Sequence, residues 1–187
     1  FINDYFSFES INKYFPDRKA KIVTIISCFY DFDSPNTLLE DLIKIFDKNG
    51  VIVIQQNYLV AMLLQNAFCN QVHEHLLYCS LTSLEYLLKQ HGLEVFDVQL
   101  NDINGGSFRT FIFRKGERKI QDSVLTLREQ EAKLGLNKKE LYEQFAQRIQ
   151  KIANTIHNFV EEEVKKGKTV YTIAMSTRGN TLLQYCR

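Results

Sequence analysis

The sequence lacks several features that would each define a functional class. Its net charge is only +1, from 23 lysines and arginines against 22 aspartates and glutamates, so no global basic field exists to attract nucleic acid or an anionic membrane. No apolar run approaches the roughly 20 residues that span a bilayer, and Phe1–Tyr14 has no uninterrupted apolar core typical of a signal peptide. We therefore expect neither nucleic acid nor a membrane as a partner.

Paired cysteines and a Walker loop are also missing. The four cysteines form no CxxC motif, and Cys28 lies in an apolar run, so we expect reduced thiols, with Cys28 in the core, and a cytoplasmic location. The GxxxxGK pattern of a Walker phosphate loop is absent. What remains is a globular composition, 45% hydrophobic and 24% charged, which excludes disorder as the dominant state.

The N-terminal part predicts a βαβ unit. Lys21–Phe29 is almost continuously apolar, which is typical of a strand buried on both faces. Ser34 and Pro35 are an N-cap and a first helical residue, and they open a helix that we expect to end at Asn49-Gly50. Val51–Ile54 reads as a second buried strand, so we predict two parallel strands joined by a right-handed crossover.

The rest of the chain predicts a hairpin and then a helical segment. Leu93–Leu100 and Ser107–Phe113 alternate as two antiparallel strands. The charged stretch Lys115–Gln121 marks a boundary, so we predict domains at 1–114 and 115–187. The other predicted elements are a short helix at Tyr58–Asn66, a helix opened by a Thr82/Glu85 capping box, a helix from Asp122, a long helix opened by an Asn137/Glu140 capping signal, a strand at Thr169–Ala174 and a helix opened by Ser176–Asn180.

The densest polar cluster is the run His73-Glu74-His75. It follows the second predicted strand, and ligands of open α/β sheets bind beyond the carboxyl ends of the strands. Histidine suits proton transfer near neutral pH, and an adjacent carboxylate can hold its tautomer. Two alternatives stay open: a solvated loop, or a zinc site with His73 and His75 as two of its ligands, although no HExxH spacing is present.

Two glycine-containing turns are further candidates for a binding site. Asn104–Arg109 contains two glycines, which permit close backbone approach, and Arg109 could face an anion. Ser176–Thr181 is a strand-to-helix turn whose N–H groups could bind phosphate. The alternatives are a plain hairpin turn with a surface arginine and a plain helix cap. Tyr30 and Asp31 follow the first strand and are a weaker signal for a pocket.

An ordered set of motifs carries a family resemblance across nearly the whole chain. The motifs are Phe29–Asp31, Asp33–Asn36, Val51–Leu64, Asn66–Phe68, His73–Ser80, Val95–Val98, Asn101–Arg109 and Ser176–Tyr185. With this set the chain resembles the S-adenosylmethionine-dependent C-methyltransferases that act on nucleotide-linked 4-keto deoxysugars. The resemblance implies a Rossmann-like half-domain, with a mixed sheet ending in an antiparallel hairpin, followed by a long helix and the start of a second α/β domain.

The resemblance also implies a cofactor, a substrate and site residues. The cofactor is S-adenosylmethionine, and the substrate is a nucleotide-diphosphate 4-keto sugar. By this comparison the chain is a fragment that begins after the glycine-rich cofactor loop, and zinc belongs to an N-terminal domain outside it; we expect no metal site here. His75 is the expected base, with Glu74 and Tyr30 as its catalytic partners. The expected substrate-binding residues are Tyr78, Asn104, Arg109, Ser176, Thr177, Arg178 and Asn180.

Two functional alternatives and one structural question remain. The missing cofactor loop is also compatible with a non-catalytic α/β module that binds a nucleotide sugar or a partner. A metal-dependent hydrolase using His73 and His75 is the third hypothesis. The oligomeric state is left open.

Overall fold

The structure is a computed structural model that describes residues 1–173 and 176–187. Within these ranges the chain forms one four-stranded mixed sheet and seven helices. The strands are β1 (Ala20–Ile26), β2 (Phe46–Asn57), β3 (Leu93–Asn101) and β4 (Ser107–Arg114). The helices are α1 (Phe8–Tyr14), α2 (Pro35–Ile45), α3 (Leu59–Leu64), α4 (Leu81–Gln90), α5 (Asp122–Leu134), α6 (Lys139–Lys165) and α7 (Thr177–Tyr185).

The sheet confirms the predicted parallel pair and the antiparallel hairpin. Its strand order is β1-β2-β4-β3, with β1 parallel to β2 and β4 antiparallel to both of its neighbours. Helix α2 connects the parallel pair, and it begins as predicted, because the Ser34 side chain accepts from the Thr37 N–H and Pro35 is the first helical residue. The carboxyl ends of β1 and β2 therefore lie at the same edge of the sheet.

One face of the sheet carries the main hydrophobic core. Ile52 and Ile54 of β2 lie opposite Ile112 and Thr110 of β4, and all four are fully buried. Side chains of α2, α4 and α5 pack onto the same core, which also includes Val124 from α5. A second, smaller cluster joins α3, the Phe68–Asn70 turn, α6 and the Cys186 end of α7.

The opposite face of β1 is open, so the prediction of a strand buried on both faces was wrong. Ile22 and Ile26 point away from the core and are 68% and 49% exposed. Cys28 was also misplaced, because it lies just after β1 and is exposed rather than in the core. The strand is apolar in sequence, yet only alternate residues reach the packed helices.

Several predicted boundaries were wrong. The helix expected to end at Asn49-Gly50 ends at Ile45, and both residues belong to β2. Ser80 and Ser83, not Thr82 and Glu85, form the capping box of α4. Helix α6 begins after Lys138 without a side-chain cap, so the Asn137/Glu140 signal was wrong. In the predicted strand at 169–174, residues 169–173 form no strand, and Ala174 lies outside the described residues. Beyond Arg114 the elements of the described residues are the helices α5, α6 and α7.

Candidate functional site

A polar cavity of about 240 Å³ lies at the edge where β1 and β2 end. Tyr30 reaches it from the short 3₁₀ turn after β1, and Asn57 is the last residue of β2. The loop before α4 and the start of α7 close the remaining sides. The cavity is lined by Tyr30, Asn57, Asn70, Val72, Glu74, His75, Asn104, Ser176, Thr177 and Arg178.

Backbone hydrogen bonds attach the His-Glu-His loop to the turn after β1. The Tyr30 carbonyl accepts from the N–H groups of Leu76 and Leu77, at 2.9 and 3.2 Å. The Tyr30 and His75 rings lie in contact, with centroids 4.3 Å apart and planes tilted by 56°. These contacts bring Tyr30 and His75, two of the three predicted catalytic residues, together at the carboxyl ends of the parallel strands.

The hydrogen bonding of His75 determines its neutral tautomer. Its Nδ1 lies 2.9 Å from the backbone carbonyl of Asn70. A carbonyl oxygen only accepts, so Nδ1 carries the proton, and Nε2 of the neutral ring presents its lone pair. In this arrangement Nε2 can accept a proton, and the main chain maintains the orientation of the ring.

Two carboxyl groups, those of Asp31 and Glu74, lie near His75, and Asp31 also affects the pKa of the Tyr30 phenol. Burial raises the pKa of the Asp31 carboxyl and Glu74 raises it further, while His75 acts in the opposite direction. Burial, followed by the charge of Asp31, raises the pKa of Tyr30 above its ordinary value. The Tyr30 phenol therefore remains protonated at neutral pH and is available as a hydrogen-bond donor.

The N-terminus of α7 forms the other side of the cavity. The Ser176 hydroxyl caps the helix by accepting from the Gly179 N–H. Arg178 contacts the Cys69 sulfur at 3.5 Å and lies over Gly105, where an added Cβ would be 3.6 Å from the guanidinium. Asn104 holds a left-handed backbone conformation, with φ 57°, in the same turn.

Three predicted substrate-binding residues do not line this cavity. Arg109 lies on β4, where its side chain donates to Gln55 at 2.9 Å. Tyr78 lies beside the site, with its ring 6.4 Å from that of His75. Asn180 faces a neighbouring depression, which it shares with His73. The phosphate role expected for Arg109 is therefore not supported by its position.

His73 and His75 do not form a joint metal site. The His73 side chain is 82% exposed and lines the neighbouring depression, whereas His75 faces the cavity. Among residues 1–173 and 176–187, no group of three potential metal-ligating side chains comes together. The same described ranges contain no helix that is both long and apolar enough to cross a membrane.

Sequence reasoning did not identify the two polar cavity residues Asn57 and Asn70. Asn57 could have been found, because it ends a strand at the edge where ligands bind. Asn70 lies in the irregular stretch before the His-Glu-His run, and its inward orientation depends on the Phe68–Asn70 turn. No sequence pattern signals that orientation.

Comparison with known proteins agrees with the resemblance. Residues 2–98 match the family described as "Methyltransferase domain", and residues 102–187 match "C-methyltransferase C-terminal domain". The C-methyltransferase NovU of Streptomyces niveus is 30% identical over 168 residues, covering 89% of this chain. The chain spans 40% of NovU's length.

Solved structures show only a distant likeness. The plantazolicin methyltransferase BpumL in complex with SAH is 15% identical, with a TM-score of 0.38 over 53% of each chain. An O-methyltransferase family protein from Burkholderia thailandensis is also 15% identical, with a TM-score of 0.39 over 56% of this chain and 33% of its own. These scores are too low to carry a functional argument. On its sequence matches, the chain belongs to the methyltransferase-domain family, and its residues 102–187 are similar to a C-methyltransferase C-terminal domain.

Proposed function

We propose that this chain deprotonates and orients a nucleotide-linked 4-keto deoxysugar for S-adenosylmethionine-dependent C-methylation. The observation that carries the proposal is the placement of His75, whose Nδ1 is anchored to a main-chain carbonyl and whose ring contacts Tyr30. The family matches and the NovU homologue support C-methylation as the reaction. The sugar nucleotide as substrate and a cytoplasmic location are part of the proposal.

The reaction needs a base and a group that stabilises an oxyanion. A ketone at C4 acidifies the proton at C3, so the lone pair on His75 Nε2 can remove that proton and leave an enolate. Negative charge then develops on the C4 oxygen, and a protonated phenol such as Tyr30 can donate to it. Glu74 lines the same cavity and would stabilise the imidazolium formed at His75.

The α7 end of the cavity suits the diphosphate. Arg178 supplies a permanent positive charge, and backbone N–H groups at the helix N-terminus favour an anion. Ser176 and Thr177 add hydroxyl groups on the same side. Asn104 belongs to this group as a sugar or phosphate contact, whereas Arg109, Tyr78 and Asn180 would need to act from outside the cavity.

The described residues do not form a cradle for S-adenosylmethionine. No glycine-rich turn links a strand to a helix within residues 1–173 and 176–187, and β1 leaves Ile22 and Ile26 open. When bound, the cofactor supplies the methyl group as an electrophile, whereas the residues of this chain bind the sugar and move its proton. The domain division at 114/115 and a zinc-binding domain outside this chain stay predictions.

Proton exchange tests the base assignment without the cofactor. The chain is incubated in D₂O with thymidine-diphosphate 4-keto-6-deoxyglucose, and loss of the C3 proton signal is followed by NMR. We expect His75→Ala to slow exchange by a factor of about 100 or more. The matched control is His73→Ala, which removes an exposed imidazole outside the cavity and should exchange like the wild type.

The outcomes separate two functional classes. Undiminished exchange in His75→Ala would contradict the base assignment. Tight binding of the sugar nucleotide with no exchange in the wild type would favour the second candidate, a non-catalytic sugar-nucleotide-binding module. That candidate is motivated by the missing cofactor loop within the described ranges. The metal-dependent hydrolase has no support in the described residues, because His73 and His75 line different depressions.

A further inference from the structure

Two buried side-chain carbonyl oxygens, on residues that line the cavity, have no hydrogen-bond partner. They are Asn57 Oδ1 and Asn70 Oδ1, both buried, and within the described part of the chain no donor reaches either atom. Both residues line the cavity that contains His75. A buried acceptor without a donor costs free energy, so such atoms are commonly completed by a ligand or by water.

The orientation of Asn70 makes its free atom an acceptor rather than a donor. Its Nδ2 donates to the Asn104 carbonyl at 3.4 Å, an oxygen that can only accept, so the amide is not flipped. The residue is 2% exposed. Its own backbone carbonyl is the one that anchors His75 Nδ1. The free acceptor is therefore attached to the residue that positions the proposed base.

We infer that Asn57 and Asn70 are acceptors for hydroxyl or ammonium groups of the sugar held beside His75. Carbonyl oxygens repel phosphate and cannot bind a ketone oxygen, but they bind O–H and N–H donors. The cavity also contains the cationic Arg178, whose guanidinium contacts the Cys69 sulfur beside Asn70. The inference rests on the proposed function and adds to it, because it requires a sugar that keeps at least one free donor group near the reacting carbon.

These unpaired acceptors predict discrimination against sugars that lack the donor. An analogue without the relevant hydroxyl leaves a buried acceptor unpaired, and sites of this kind reject such analogues strongly. Ordered water is the alternative occupant, since the cavity is polar and large enough to hold it. If ordered water alone satisfied both carbonyl oxygens, removal of a sugar hydroxyl would weaken binding equally in the wild type and in variants that lack either asparagine side chain.

The test is a binding comparison with the chain and six probes. They are thymidine diphosphate, its glucose conjugate, and four monodeoxy analogues lacking the hydroxyl at C2, C3, C4 or C6, each titrated by calorimetry. We expect at least one monodeoxy analogue to bind the wild type about tenfold more weakly than the glucose conjugate. That ratio should fall toward one in Asn57→Ala or Asn70→Ala, while thymidine diphosphate binds all proteins alike.

The control variant is Asn154→Ala, which removes an exposed amide on α6. It should keep the wild-type ratio, and circular dichroism checks that each variant is folded. An unchanged ratio in both cavity variants, or equal binding of all five sugar conjugates by the wild type, would overturn this inference alone. Failure of the wild type to bind either thymidine diphosphate or its glucose conjugate would overturn the proposed function and this inference together.

Discussion

Replacing the buried Glu131 with glutamine should lower the free energy of unfolding more than the same replacement of an exposed glutamate. Glu131 lies on α5, is 2% exposed and accepts four hydrogen bonds. Oε1 accepts from the Tyr58 hydroxyl and the Leu81 N–H, at 2.8 and 2.7 Å. Oε2 accepts from the N–H and hydroxyl of Thr82, at 2.8 and 2.6 Å. The carboxylate thus caps the N-terminus of α4 from a different helix.

The magnitude follows from the number of bonds lost. The glutamine NH₂ would face the two donors of Thr82, and only the hydroxyl can rotate to accept. The Thr82 N–H, which is part-buried, is left unpaired and two charge-assisted bonds become neutral, so the expected loss is about 3 kcal/mol. Burial is the main cause of a pKa of Tyr58 raised well above its usual range, with Glu131 adding to it, so the phenol donates throughout the neutral range.

Urea unfolding at neutral pH measures the effect. The control is Glu129→Gln on the same helix, where a 72% exposed carboxylate lies 4.0 Å from Lys133. Such exposed pairs contribute about 0.5 kcal/mol or less. A loss in Glu131→Gln no larger than that of the control would refute the view that this carboxylate links α5 to α4. Tyr58→Phe should cost less than Glu131→Gln, because it removes a single bond.

Two further predictions concern backbone space and acid stability. Gly106→Ala should cost about 3 kcal/mol in urea unfolding, because φ is +112° and an added Cβ would lie 2.4 Å from that of Ala61. Gly116→Ala, with positive φ but open space, should cost only about 1 kcal/mol, and equal losses would show that the contact is irrelevant. Burial raises the pKa of Asp41, but bonds from Lys44 and a backbone N–H lower it more, so its net shift is downward. The stabilisation that Asp41 contributes is therefore complete above the ordinary aspartate pKa of about 4 and is lost as pH falls through the lowered pKa. Asp41→Asn should reduce the fall in the free energy of unfolding at acidic pH. An unchanged fall would contradict the assignment to Asp41.

Local patterns predicted most of the elements because their causes are local. The Ser34 cap with Pro35, the alternation of the hairpin strands and the periodic apolar face of α6 all depend on residues within one or two turns of each other. These features specify an element whatever it later packs against. They were sufficient for the parallel pair, the hairpin and the long helix.

The wrong predictions concern residues that form tertiary contacts with segments distant in sequence. Gly50 was expected to end a helix, but it belongs to β2, where an added Cβ would lie 2.9 Å from the Ala20 carbonyl of β1. Thr82 and Glu85 were expected to cap α4, but they bind Glu131 and Arg128 of α5 instead. In each case a tertiary contact, invisible along the chain, determined what the residue does.

The sequence alone determined that the His73-Glu74-His75 run would follow the second strand, and that a histidine there could act as a base. Only the tertiary structure decided which histidine faces the cavity and which tautomer it holds. His75 is anchored by the Asn70 carbonyl, whereas the His73 side chain is 82% exposed. Both residues are histidines, and they differ in exposure because the loop is attached by hydrogen bonds to Tyr30 after β1. Hydrogen bonds between segments remote in sequence set that attachment, so no local pattern could specify it.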